Sequence, residues 1–165
     1  MLNKNTSSPL TFALKLLGLR SHSREELDRK LSRKGYSTES IRTVLDTLTR
    51  EGVLDDRKFS MEFIRSRSSR KPSGKLKIQA ELRKRGVADS IIAELLQEYE
   101  SVELCHKAAE KKRGSIRGAT VGEKQRKLAI FLHNRGFGWQ EIQVVLKRFS
   151  LSDAGNGESC YESSP

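Results

Sequence analysis

One short pattern recurs three times along this chain, and its period decides what the chain can fold into. Lys34-Gly35-Tyr36 returns as Arg85-Gly86-Val87 and again as Arg135-Gly136-Phe137, which puts the glycines 51 and 50 residues apart. Apolar positions around them keep the same register. Leu27, Ile78 and Leu128 correspond, as do Leu31, Leu82 and Leu132, and then Leu45, Leu96 and Leu146. Self-similarity at one fixed period marks a tandem array of supersecondary units.

Each unit has a readable physical logic. A helix ends at a basic residue, which complements the negative end of the helix dipole. Glycine then takes the left-handed conformation that closes the helix, and the apolar residue after it packs back on the helix end. A further helix follows, with apolar residues at i, i+3, i+4 and i+7. These are Ile41, Val44, Leu45 and Leu48 in the first unit; Ile92, Leu95, Leu96 and Tyr99 in the second; and Ile142, Val145, Leu146 and Phe149 in the third. Upstream of each lies a short amphipathic helix, marked by Ala13, Leu14, Leu16 and Leu17, by Phe59, Phe63 and Ile64, and by Leu104, Ala108 and Ala109. Ser23 with Glu26 reads as a capping box. Asp55-Asp56 reads as the cap of the first helix of the second unit.

The expected fold is therefore all-α, an elongated curved array of three tandem three-helix repeats. The expected divisions are a flexible N-terminus over 1–9, repeats over 10–51, 52–100 and 101–150, a flexible basic loop at 114–122, and a disordered acidic tail over 151–165. A composition of 35% hydrophobic and 32% charged residues suits several small cores better than one large one. Cys105 and Cys160 form no CxxC pair, which argues against a disulfide framework and a thiolate metal site and fits a reducing cytosol. No apolar run approaches the ~20 residues of a membrane span.

Charge points to the partner. With 32 Lys+Arg against 21 Asp+Glu, the net charge is +11, which calls for a polyanion, most simply nucleic acid bound weakly and largely without sequence preference. The cations are clustered. Arg65, Arg67, Arg70, Lys71, Lys75, Lys77, Arg83, Lys84 and Arg85 share their stretch with one acid, Glu81. Lys111, Lys112, Arg113, Arg117, Lys124, Arg126 and Lys127 are opposed only by Glu123. In a regular array the two runs would fall along one edge, and backbone N–H groups at Ser73-Gly74 could approach an anion.

Catalytic constellations are not visible. His22, His106 and His133 lie far apart and form no metal motif, and Cys105 reads as a core residue. Gly118 to Lys124 fails as a phosphate loop, because Glu123 occupies the lysine position and no strand precedes it. Trp139 could stack on a base, but a packing role fits it better. No cofactor or metal is expected.

The ordered residues, about 10–150, resemble the RecX family. The resemblance rests on Ala13-Leu14, Leu17, Arg20, Ser23, Glu26-Leu27, Lys30-Leu31 and Lys34-Gly35 in the first repeat. In the second it rests on Gly52, Leu54-Asp55-Asp56, Phe59 and Phe63-Ile64, then on Gly74, Ile78, Glu81-Leu82 and Arg85-Gly86-Val87. Ser60 departs from the family's usual alanine, Val87 from its usual isoleucine, and the third repeat diverges most. The resemblance implies a cytoplasmic, non-enzymatic, monomeric regulator of the RecA recombinase in DNA repair and the SOS response. Such a protein binds RecA filaments on single-stranded DNA and inhibits filament extension, ATPase, strand exchange and coprotease activity. Of the cations above, Arg65, Arg67, Arg70, Lys71, Lys75 and Lys77 are the first candidates for contact. Lys111, Lys112, Arg113 and Arg117 come second, with Arg83 and Lys84 beside the first group.

Two other classes compete. A helix-turn-helix DNA-binding protein without RecA specificity would also use three-helix units, but no unit shows a recognition helix rich in Arg, Asn and Gln. A small nuclease would need a carboxylate or histidine cluster, which the sequence lacks.

Overall fold

A computed structural model describes residues 7–154. Among them are nine helices and no strand: α1 (Pro9–Leu19), α2 (Arg24–Lys34), α3 (Thr38–Arg50), α4 (Asp56–Arg70), α5 (Lys75–Lys84), α6 (Asp89–Gln97), α7 (Ser101–Arg113), α8 (Val121–Asn134) and α9 (Trp139–Ala154). Most of the stretch read as a flexible N-terminus and most of the acidic tail, with Cys160, lie outside the described residues. Inside them, α1 starts at Pro9 behind the Ser8 cap, and α9 runs to Ala154, four residues into the stretch read as tail.

The repeating glycines close α2, α5 and α8 in one manner. Gly35, Gly86 and Gly136 have φ of 90°, 75° and 81°. In each case the next residue donates its N–H back across the helix end: Tyr36 to the Leu31 carbonyl at 3.4 Å, Val87 to Leu82 at 3.2 Å, and Phe137 to Leu132 at 3.3 Å. This is the bond pattern of a Schellman closure. Its recurrence after every middle helix makes the architecture an all-α array of three-helix repeats. The same closure ends α3, where Gly52 has a φ of 69° and Val53 donates to Leu48 at 3.0 Å.

The chain forms two compact units: residues up to Ser66 with Gln79–Glu98, and Arg67–Ile78 with residues from Tyr99 onward. In the first unit Ala13, Leu27, Leu31, Ile41, Leu45, Leu48 and Leu54 form a buried cluster, with Phe12, Leu17, Tyr36 and Val44 packed against it. Leu14, expected on the apolar face of α1, is 45% exposed.

Helix starts in this unit are tied by side chains. Ser23 Oγ accepts the Glu26 N–H at 3.1 Å, the first half of a capping box. The Glu26 carboxylate goes to Arg20 at 3.1 Å and Arg85 at 3.3 Å instead of closing the second half. The two aspartates divide their work. Asp55 accepts the N–H groups of Arg57 and Lys58 and so caps α4, whereas Asp56 accepts the Arg24 N–H at 2.8 Å, at the start of α2. Burial pushes the Asp56 carboxyl above its ordinary pKa despite that bond.

In the second unit α7, α8 and α9 pack on one another. Leu104, Cys105, Ala108, Ala109, Leu128, Leu132, Phe137, Ile142 and Val145 are buried. Two positions depart from the repeat pattern. Val145 is fully buried and Leu146 only half-buried, so the apolar face of α9 is turned by one residue relative to α3 and α6. Tyr99 lies beyond the end of α6, within the second unit, where its hydroxyl donates to the Ser73 carbonyl at 2.6 Å.

Candidate nucleic-acid interface

Cations collect at helix C-termini because the dipole favours them there. α4 carries Arg67 and Arg70 in its last turn, and α7 carries Lys111, Lys112 and Arg113. Arg135 is the residue at which α8 ends. Within the second unit these three ends meet. Arg70, Lys71, Lys111, Lys112 and Arg135 line one cavity of about 220 Å³, closed by Pro72, Ala108 and Phe131. Its wall thus holds five cations and no carboxylate.

The cavity has a tethered base and exposed edges. Arg135 donates to the Pro72 carbonyl at 3.3 Å and stands 4.8 Å from the Phe131 ring centre. Desolvation lowers its pKa, and arginine, with the highest ordinary value of the basic side chains, stays charged near neutrality. Lys112 also lies over Phe131, at 5.6 Å. With two cations on its ring, Phe131 serves to seat charge rather than to stack a base. Arg70, Lys71 and Lys111 are exposed and make no ion pair with a described residue. Such a set suits phosphate oxygens, which fix position without reading sequence.

The structure brings together only part of the two basic runs. From the first come Arg70 and Lys71, and from the second Lys111 and Lys112. Lys75 and Lys77 belong to the same unit but do not line the cavity; Lys77 donates to the Asn134 carbonyl at 3.4 Å. Arg67 is half-buried. Arg113 stands 5.1 Å from the Phe149 ring, and the Arg117 carbonyl accepts from Lys127. Arg65, Arg83 and Lys84 lie in the first unit. There Arg83 is paired with Asp89 at 2.6 Å. Arg135 and Phe131 were not among the sequence candidates: Arg135 carries the local signature of a helix end, and nothing local marks it as a binding residue.

Two expectations are corrected. Ser73-Gly74 is not an anion cradle. Both residues are buried, and the Gly74 N–H donates to the Arg135 carbonyl at 2.9 Å. A Cβ on Gly74 would stand 2.0 Å from the Gly136 carbonyl oxygen, so glycine is needed here for backbone to pass backbone. Trp139 does not pack inside; it is 60% exposed. By contrast Cys105 is fully buried, and its thiol is pushed up to about 12 by that burial. His22 is also buried. Its Nδ1 donates to the Arg20 carbonyl at 2.9 Å and its Nε2 has no partner among the described residues.

Among the described residues no three His, Cys, Asp or Glu side chains are grouped to hold a metal, and no helix is long and apolar enough to cross a membrane.

Fold and site together define a class: a basic all-α protein of tandem three-helix repeats with a cation-lined cavity built by residues of its second and third repeats. The chain belongs to the RecX family. Models of the first, second and third three-helix domains of RecX match residues 10–48, 55–96 and 98–146. The regulatory protein RecX of Pelodictyon phaeoclathratiforme is 59% identical over 160 residues, covering 97% of this chain and 100% of that one. That of Chlorobium limicola is 44% identical, covering 90% and 93%. The crystal structure of RecX from Lactobacillus salivarius superposes with a TM-score of 0.78 at 23% identity, covering 91% of this chain and 99% of that one. The family is thus one of regulatory proteins, built on this fold.

Proposed function

We propose that this protein is a negative regulator of the RecA recombinase. It binds RecA filaments assembled on single-stranded DNA and slows their extension, and with it the ATPase, strand-exchange and coprotease activities of the filament. Family membership supports the regulatory role. The observation that carries the mode of action is the cavity of Arg70, Lys71, Lys111, Lys112 and Arg135, five cations without a carboxylate. Like charges held together in this way gain most from a partner of dense negative charge. Phosphates of a strand within a filament supply it, and a site that seats charge on Phe131 rather than stacking bases suits a strand of any sequence. Enzymatic turnover has no part in this reading.

RecA's DNA-dependent ATP hydrolysis tests it, with the protein titrated in below one molecule per RecA subunit. Inhibition at that ratio, at salt where free-DNA binding is weak, is the expected result. Inhibition only when DNA is saturated would reduce the protein to a general basic DNA binder.

A further inference from the structure

α8 has a second working side. At about 3.6 residues per turn, Phe131 and Arg135 face roughly away from Arg126, Ile130 and His133. The first pair faces the cationic cavity. The second set lines a separate cavity of about 550 Å³ between α8 and α9, which shares no lining residue with the first. Its apolar wall is made by Ala129, Ile130, Leu146 and Trp139. Ile130 is 52% exposed and Trp139 60%. Exposed large apolar side chains grouped around one cavity form the kind of contiguous patch that interaction surfaces use.

We propose that this groove docks a protein segment whose apolar side chains are flanked by carboxylates. On the functional reading above, on which this inference rests, that segment belongs to the recombinase subunits. Two observations set the chemistry. The wall is mainly aliphatic, with one indole and the His133 imidazole at its rim and no succession of rings, which suits protein side chains better than a run of stacked bases. The charge on its lining is Arg126, which makes no ion pair with a described residue, and no carboxylate lines it. An acidic, apolar segment is the complement of both. One helix, α8, then faces strand phosphates on one side and protein on the other. It engages fully only where DNA and subunit lie within its reach at once, which is on a filament and neither on bare DNA nor on free subunits.

Three variants test the assignment. Trp139→Ala removes the exposed ring. Ile130→Glu places like charge against the acidic segment. Gly122→Phe plugs the groove: around an added Cβ there, nothing comes nearer than Thr120 Oγ1 at 4.0 Å, so the helix need not shift. Each is assayed in the full chain, after a thermal melt, for binding to a labelled oligothymidylate alone and for inhibition of RecA ATP hydrolysis on the same DNA. DNA binding is expected to stay within about twofold, while the concentration needed for inhibition rises about tenfold or more, as truncation of an interface anchor requires. Inhibition equal to that of the unsubstituted chain, by Gly122→Phe above all, overturns the docking assignment and leaves the regulatory reading standing. So does a loss of DNA binding that matches the loss of inhibition. If the unsubstituted chain fails to inhibit, the regulatory reading falls, and this assignment with it.

Discussion

Neutralising the open edge of the cationic cavity should change how DNA binding responds to salt, by an amount that can be worked out. Arg70, Lys71, Lys111 and Lys112 line the cavity, whereas Arg135 is engaged by the Pro72 carbonyl and Phe131 and also supports the fold. For single strands, each phosphate met by a cation adds about −0.7 to the slope of log affinity against log salt. Four contacts then account for a slope of about −2.8, or about 50-fold in affinity between about 50 and about 200 mM salt. The perturbation is the quadruple variant Arg70→Gln, Lys71→Gln, Lys111→Gln and Lys112→Gln. The assay is fluorescence anisotropy of a labelled oligothymidylate at several salt concentrations. Thermal melts should show an intact fold, since none of the four side chains is buried. The variant's slope should be shallower by about 3, and its affinity loss greatest at low salt. An unchanged slope would refute the reasoning, because it would mean that the strand runs elsewhere.

Three further outcomes are expected. Gly74→Ala forces a Cβ to within 2.0 Å of the Gly136 carbonyl oxygen and should cost about 1–3 kcal/mol or more in a urea titration. His22 is held below its ordinary value of 6.5, first by burial, so the unfolded chain takes up this proton sooner as pH falls. Its stabilising share is present above 6.5 and is lost on acidification through the lower folded value; urea midpoints at about pH 7.5 and about pH 5.5 should diverge in the native chain and diverge less in His22→Gln. Cys105, buried and with its thiol pushed up to about 12, should react with a thiol reagent in a Cys160→Ser background only after denaturant is added.

What could be read from the sequence was what local geometry dictates. A left-handed glycine after an apolar helix is a requirement of the backbone, so Gly35, Gly86 and Gly136 announced the three repeats. The buried register at Leu31, Leu82 and Leu132 followed from the same spacing. Features that depend on which distant segments meet stayed hidden. Arg70, Lys111 and Arg135 each look like an ordinary helix end, and only the packing of the second unit makes them one site. Gly74 looked like a loop glycine open to an anion, because sequence does not say that Arg135 and Gly136 pass against it. Asp56 looked like a second cap for its own helix, while its carboxylate serves the start of α2. Trp139 was expected to pack because large rings usually do, and its exposure became legible only beside the groove it lines.

The interleaving of the two units bears on how the molecule can be taken apart. The chain enters the second unit at Arg67, leaves it after Ile78 and returns at Tyr99. A fragment cut at the repeat boundary near residue 100 would keep Ser73 and Gly74 but lose the Arg135 carbonyl that Gly74 bonds. A fragment starting there would keep Arg135 and lose the Pro72 carbonyl beneath its guanidinium. The period visible in the sequence is thus not a set of scissor lines. Deletion mapping by whole repeats would destroy the cationic cavity from either side, and would treat as the property of one repeat a cavity that two of them build.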